Sequence, residues 1–289
     1  MNEHVTKILS GQGLASKMRV SLKRRISESR IKPGLAVVLV GHDPASKIYV
    51  EFKKEASEEV GMYLETVELP ESVSQHKLLK IVHKLNGHKK IHGILVQLPL
   101  PDHIDPFTIM DAIDPRKDVD GFHPENIGWN SIGRPYLTPA TALAIWKLVE
   151  STRVKVEGKH VVVVGKSNIV GKPTAELFLN KNATVTVCHK LTEDLGKYTK
   201  QADILISGTG VPGLITADIV KKGAMVIDAG ISKIRGEVVG DVDFESVAEK
   251  VSYITPVPGG VGPMTVASLL ENTWTAMRKA KGFDDENHA

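Results

Sequence analysis

From position 32 almost to its end, the chain alternates between short β-branched apolar runs and stretches in which apolar residues recur at helical spacing. The runs at 35–40, 63–67, 94–97, 160–164, 184–188, 204–207, 225–228 and 252–254 predict strands. Most are apolar nearly throughout rather than on alternate positions, which is the pattern of strands covered on both faces in a parallel sheet. Between them, 45–60, 74–85, 141–148, 170–179 and 265–281 read as helices. Strand, helix and strand repeated in this way predict an α/β protein with parallel sheets.

Regular structure is interrupted between 130 and 141, where Gly133, Pro135 and Pro139 fall close together. A chain of 289 residues is long enough for two cores, so this break is the expected boundary. Residues 1–139 should form one α/β domain and 140–264 a second, Rossmann-like one. A last helical segment at 265–289 follows a Gly/Pro-rich loop and could return to the first domain.

Composition narrows the classes without choosing among them. A hydrophobic share of 42% and a charged share of 25% are those of a soluble globular protein and exclude disorder. The net charge of +3 is not gathered into a tract; Lys23-Arg24-Arg25 and Lys89-Lys90 read as solvated faces, not a nucleic-acid groove. Cys188 is the only cysteine, which excludes an internal disulfide. The histidines show no zinc spacing; His83, His88 and His92 come nearest and read as surface or boundary residues, so no metal is expected. No apolar run has the length of a membrane span, and the amino terminus has no signal-type apolar core, so no membrane is expected and the cytoplasm is the expected compartment.

The apolar run 160–164 leads into Gly165-Lys166-Ser167-Asn168-Ile169-Val170-Gly171 and then a helix. Glycine permits a tight turn there, and the N–H groups at a helix start can receive a phosphate, so this turn opens a candidate dinucleotide-binding βαβ unit. An NAD enzyme usually carries Asp or Glu at the end of the next strand to hold the ribose hydroxyls. This strand ends Cys188-His189-Lys190, with no acid, and Lys166 sits in the turn. Two cations and no carboxylate favour a 2′-phosphate, hence NADP, with NAD still open. Two later turns, Ser207-Gly208-Thr209-Gly210 and Ala229-Gly230-Ile231-Ser232, also follow strands, and Thr209, Gly210 and Ile231 are candidate cofactor contacts; tight turns with no ligand would look the same.

Upstream, Ser46, Tyr49 and Lys53 share one face of a predicted helix. The run at 94–97 ends in Gln97 and passes into Leu98-Pro99-Leu100-Pro101, which places an amide at a strand terminus. The segment Asp114-Pro115-Arg116-Lys117-Asp118-Val119-Asp120-Gly121 packs three acids and two cations into one loop. Finally, Pro256-Val257-Pro258-Gly259-Gly260-Val261-Gly262-Pro263 fixes a backbone path that could approach a flat ligand closely. Each feature alone is compatible with a structural role.

Taken together, in this order and over nearly the whole chain, these motifs closely resemble the bifunctional methylenetetrahydrofolate dehydrogenase/cyclohydrolase family. The resemblance implies oxidation of 5,10-methylene-tetrahydrofolate with NADP and hydrolysis of the product to 10-formyl-tetrahydrofolate, in a folate cleft between the domains. It further implies that Lys53 is the general acid/base and Gln97 its orienting partner. Tyr49 would stack on the p-aminobenzoyl ring, Asp120 would accept from the pterin's amino edge, and Ser46, Pro258, Gly259 and Gly260 would contact substrate. Gly165, Lys166, Ser167, Lys190, Thr209, Gly210 and Ile231 would bind the cofactor. A homodimer, return of the last helix to the first domain and no metal are also implied. The chain departs from the family pattern at Glu55 (usually basic), at Tyr136-Leu137-Thr138-Pro139 with Thr141, and at Lys166 (often Arg). Two alternatives share the fold pattern: a two-domain dehydrogenase of the amino-acid or shikimate type, and a cofactor-binding protein without turnover.

Overall fold

The structure is a computed structural model and describes residues 6–283. In chain order it runs β1 (Lys7–Ile8), α1 (Gly11–Glu28), β2 (Gly34–Val40), α2 (Pro44–Val60), β3 (Tyr63–Leu69), α3 (Gln75–Asn86), β4 (Gly93–Val96), α4 (Pro106–Asp111) and α5 (Pro124–Ser131). It continues with α6 (Ala140–Ser151), β5 (His160–Val164), α7 (Gly171–Asn180), β6 (Thr184–Cys188), α8 (Leu195–Thr199), β7 (Ile204–Ser207) and β8 (Met225–Asp228). The last elements are β9 (Ser232–Ile234), β10 (Glu237–Val239), α9 (Phe244–Ala248), β11 (Tyr253–Ile254) and α10 (Val261–Ala280). The chain divides into two compact units. One holds residues 6–15, Asn130–Gly133 and Thr141–Thr265; the other holds Ser16–Trp129, Arg134–Ala140 and 266–283.

The first unit is built on a six-stranded sheet, β1-β11-β8-β7-β5-β6, in which every pairing is parallel. Continuous apolar runs suit strands covered on both sides. Val162 and Val164 join Leu205, Val226, Ile254 and Val247 in one core, while Val161, Val163, Ile204 and Ile206 are equally buried on the opposite face. Each such side chain contributes about 1.5–3 kcal/mol on burial.

The second unit has a parallel three-stranded sheet, β3-β2-β4. The central strand β2 is buried throughout, and its side chains divide by parity. Leu35, Val37 and Leu39 enter a core with Leu22, Ile26, Val50, Leu269, Leu270, Trp274 and Met277. Ala36, Val38 and Val40 enter another with Leu78, Val82, Leu85, Ile94 and Ile109. The carboxyl-terminal helix α10 is thus part of the core of the unit that holds β2.

Elements β1, α1, α4, α5, α8, β9, β10 and α9 lie outside the sequence expectation. Helix α1 buries only sparse positions such as Ala15, Leu22 and Ile26 amid lysines and arginines, which hides its period. Helix α5 follows the acidic loop. The hairpin β9–β10 turns at Arg235 and Gly236, both at positive φ (52° and 90°), as a two-residue hairpin loop requires. Among the described residues no helix is long and apolar enough to cross a membrane.

Candidate active site

Helix α2 carries the reactive side chains of the second unit. Its start is fixed by Asp43, whose carboxylate accepts from Ser46 N at 2.7 Å and Ser46 Oγ at 2.8 Å, and its end by Gly61 at φ 79°. Ser46, Val50, Lys53, Ser57 and Val60 form its buried face, while Glu51, Phe52 and Glu55 are exposed. Lys53 is only 9% exposed, and its Nζ donates to Gln97 Oε1 at 2.8 Å. Gln97 follows β4; its backbone N–H donates to Val38 O at 2.8 Å and its Nε2 to Leu98 O at 2.7 Å, just before a cis Leu98–Pro99 bond. With Nε2 committed to a carbonyl, Oε1 is the atom turned to the lysine. Ser46 Oγ reaches Leu98 O at 3.5 Å, and Tyr49, one turn before Lys53, is half-buried, which raises its phenol pKa.

The structure sorts the three acids of the 114–121 loop. Asp114 pairs with Arg116 at 2.6 Å. Asp118 is buried and accepts from Gly121 N, His123 N and Asn126 Nδ2 at 3.1, 2.8 and 2.9 Å, which closes the loop on α5. Lys117 Nζ donates to Leu85 O, Asn86 O and His88 O (3.3, 2.7 and 3.1 Å), capping the carboxyl end of α3. Gly121, at φ 78°, packs so closely on Pro139 that a Cβ would sit 2.6 Å from its Cα. Asn272 Nδ2 ties Val119 O and Thr138 O together, each at 2.8 Å. Only Asp120 is left with a carboxylate that makes no hydrogen bond among the described residues.

Burial lowers the Lys53 pKa and the Asp120 carboxylate partly restores it. Burial likewise raises Asp120 to about 6, with Lys53 pulling it down and Asp118 pushing it up. Burial thus draws the proton affinities of the amine and the acid toward one another, which suits a lysine that both takes up and returns a proton. The departures at Tyr136 and Leu137 serve this scaffold: Leu137 is buried in the core of α2 and α10, and Lys279 Nζ lies 4.6 Å from the Tyr136 ring. His92, expected at a surface or boundary, is buried immediately before β4, where its Nδ1 accepts from Gly34 N at 3.1 Å; burial drops its pKa to about 4. Among the described residues no group of His, Cys, Asp or Glu could hold a metal ion.

In the first unit, the turn after β5 is closed to side chains. Gly165 has φ 116°, and a Cβ there would lie 2.5 Å from Gly208 O. The first N–H groups of α7, expected to receive a phosphate, have partners within the turn. Ser167 Oγ accepts from Val170 N and Gly171 N (3.1 and 3.3 Å), and Ser167 O accepts from Lys172 N at 3.0 Å, so these first N–H groups of α7 are already engaged. What the turn presents instead is its exposed segment 166–169, with Lys166. Lys166 and Lys190 are both exposed, and neither belongs to an ion pair among the described residues. Cys188 is buried, with its thiol pKa raised by burial, and its carbonyl accepts from Gly165 N at 2.9 Å. A turn that only glycine can make, two uncommitted cations and no acid at the end of β6 fit a dinucleotide with a phosphorylated ribose.

The turns after β7 and β8 are held by two buried carboxylates that the sequence reading passed over. Asp241 Oδ2 accepts from Ser207 Oγ, Thr209 N and Thr209 Oγ1 at 2.7, 2.6 and 2.9 Å. Asp228 accepts from Gly230 N, Asp241 N and Val242 N at 2.9, 3.2 and 2.9 Å, and burial raises it to about 6. Their signal was an acid beside a glycine, in Asp228-Ala229-Gly230 and Gly240-Asp241. Ile231 is exposed, and Ser232 Oγ donates to Gly210 O at 2.9 Å, joining the two turns. Pro258 is exposed after a cis Val257–Pro258 bond; Gly259 has φ 105° and its carbonyl accepts from Gly11 N at 2.9 Å, while Gly260 is buried with no room for a Cβ.

Residues 9–120 match the catalytic domain of the tetrahydrofolate dehydrogenase/cyclohydrolase family, and residues 139–281 match its NAD(P)-binding domain. The bifunctional protein FolD of Exiguobacterium sibiricum is 52% identical over 274 residues, 94% of this chain and 99% of that protein. Among solved structures, the bifunctional dehydrogenase/cyclohydrolase of Campylobacter jejuni superposes with a TM-score of 0.92 at 46% identity, covering 95% of this chain and all of that one. The Trypanosoma brucei enzyme, solved with NADP and an inhibitor, gives a TM-score of 0.92 at 38% identity, covering 96% and 98%. Two family domains in the expected order, with near-complete coverage, settle the classification: the chain belongs to the tetrahydrofolate dehydrogenase/cyclohydrolase family.

Proposed function

We propose that this protein oxidises 5,10-methylene-tetrahydrofolate to the 5,10-methenyl form with NADP and then hydrolyses that product to 10-formyl-tetrahydrofolate. Family membership displaces the amino-acid or shikimate-type reading. The observation that carries the chemistry is the buried Lys53 Nζ held 2.8 Å from Gln97 Oε1, with its proton affinity lowered by burial. NADP, when bound, supplies the hydride acceptor. In hydrolysis, Lys53 takes a proton from the water that bonds to the methenyl carbon. It returns that proton to N5 as the carbon–N5 bond breaks, and the remaining hydroxyl proton is released as the formyl carbonyl forms. Gln97 orients the amine, Asp120 accepts from the pterin's amino edge, and Tyr49 stacks on the p-aminobenzoyl ring. Ser46, Pro258, Gly259 and Gly260 complete the substrate contacts.

In this reading residues 1–139 with 265–289 serve folate and 140–264 serve NADP, although residues 6–15, with β1, and 130–133 fold into the cofactor unit; positions 1–5 and 284–289 of these ranges lie outside the described residues. Gly165, Lys166, Ser167, Lys190, Thr209, Gly210 and Ile231 make the cofactor site, and the protein works as a cytoplasmic homodimer, a reading that rests on the family resemblance. An assay that follows NADPH and methenyl-tetrahydrofolate separately should register both activities; failure to reduce NADP would overturn the reading. Two exposed lysines gripping a 2′-phosphate should favour NADP over NAD by about 1–3 kcal/mol, less at high salt. Lys166→Ala/Lys190→Ala should erase that ratio of kcat/KM, and a preference that survives refutes these two residues.

A further inference from the structure

Asp241 is wholly buried at the carboxyl end of the six-stranded sheet, and its two oxygens do different things. Oδ2 gathers three donors from the turn after β7: the Ser207 hydroxyl and both the N–H and hydroxyl of Thr209, all within 2.9 Å. Oδ1 has no hydrogen-bond partner among the described residues and faces the turn after β8. There a Cβ on Gly230 would stand 2.0 Å from Oδ1 and 2.2 Å from the carboxyl carbon. Asp228 binds the same turn from the other side through Gly230 N, and its own neighbour Gly240 leaves room for it, since a Cβ there would fall 2.0 Å from Asp228 Oδ2. A desolvated, half-satisfied carboxylate is costly, and an Asn or a hydrophobic residue would fill the space at less expense if only packing were needed. What the carboxylate alone provides is one acceptor strong enough to gather three donors, with a spacer atom opposite.

We propose that Asp241 is a positioning residue for the cofactor: it sets the Thr209–Gly210 turn and the Gly230–Ile231 turn at a fixed separation, and Gly230 is glycine because that carboxylate occupies the space of its side chain. The inference rests on the assignment of Thr209, Gly210 and Ile231 to the cofactor site. Removing the spacer lets both turns drift, and a displacement of about 1 Å in a binding frame costs up to roughly a hundredfold.

The test is titration of NADP into the protein by calorimetry, alongside hydrolysis of methenyl-tetrahydrofolate without cofactor and a thermal melt. Asp241→Ala should weaken NADP binding roughly ten- to hundredfold while cofactor-free hydrolysis stays within a few-fold of the parent. Asp241→Asn keeps one acceptor oxygen and should fall between the two. Gly230→Ala should mimic Asp241→Ala in the parent background, yet add little further loss in Asp241→Ala, because the obstructing carboxylate is then gone. NADP affinity unchanged in Asp241→Ala overturns the proposal, and so does a Gly230→Ala penalty of equal size in both backgrounds. Equal loss of hydrolysis and NADP binding assigns Asp241 to folding alone and also overturns it. A parent that binds no NADP at all would instead overturn the cofactor assignment on which the inference stands.

Discussion

Each unit buries a pair of ionisable groups, and the two pairs are satisfied in opposite ways. Lys53 and Asp120 carry opposite charges, so each offsets part of the other's desolvation, and among the described residues few hydrogen bonds are spent on them: one for the Lys53 amine and none for the Asp120 carboxylate. Asp228 and Asp241 carry the same charge, so backbone N–H groups and hydroxyls do the compensating, taking up the Asp228 carboxylate and Asp241 Oδ2 while Asp241 Oδ1 has no partner among the described residues. A pair relieved by Coulomb attraction keeps free lone pairs and a mobile proton, which suits chemistry. A pair relieved by fixed donors is tied to the backbone, which suits geometry.

The largest effect should come from breaking the first pair. Lys53→Met is expected to lower hydrolysis of methenyl-tetrahydrofolate by about 10²–10⁴-fold while NADP binding stays near that of the parent. Turnover within a few-fold of the parent, measured from the loss of methenyl absorbance, would remove Lys53 from the chemistry. A smaller effect is expected at its partner. Asp120→Ala should weaken folate binding by about 1.5–3 kcal/mol, read by calorimetry, because a charge-assisted acceptor is lost. Since Asp120 ionises near pH 6, folate affinity of the parent should decline as pH falls through about 6, and Asp120→Asn should not share that decline. Parallel pH profiles for parent and variant would return Asp120 to a structural role.

The smallest effect tests the second pair. Asp228 has a folded pKa of about 6, above its ordinary value of 3.8. Its folded form therefore holds a proton that the unfolded chain has already released, and the resulting stabilisation, full below 3.8, is lost as pH rises through 6. The parent should lose stability relative to Asp228→Asn over that window, on the order of 1–3 kcal/mol, whatever the variant's offset at a single pH. Denaturant melts across that window check it, and a pH-independent difference would show that the backbone donors fully offset the burial of the carboxylate.

Legibility differed sharply between these regions. Strands β5 to β8 occur at the residues predicted: β5, β7 and β8 because strands buried on both faces are apolar nearly throughout, and the edge strand β6, fully buried only at Cys188, because its other residues are β-branched. Helix α1 escaped notice because its polar residues far outnumber the three or four that reach a core. In the candidate site, Ser46, Tyr49 and Lys53 could be placed on one face by helical period alone, but that period cannot say that Lys53 is buried and Phe52 exposed. The loop of three acids was visible as a motif. Which acid remains free was not, because Asp118 and Asp120 are chemically identical in sequence and differ only in whether N–H groups point at them.

The sequence by itself determined the α/β class, the parallel sheets, the glycine turn after β5 and the absence of an acid at the end of β6, since all of these follow from local period and residue type. Tertiary structure alone decided that Gln97 Oε1 meets Lys53, that Ser167 already occupies the first N–H groups of α7, and that Asp241 fills the space beside Gly230. The physical reason is range. Backbone propensity and apolar period act over a few neighbouring residues, whereas Lys53 meets Gln97 across 44 positions and Asp241 binds Ser207 across 34. Even within four positions, the Ser167 hydroxyl's turn onto the first N–H groups of α7 is a side-chain conformation that period does not specify.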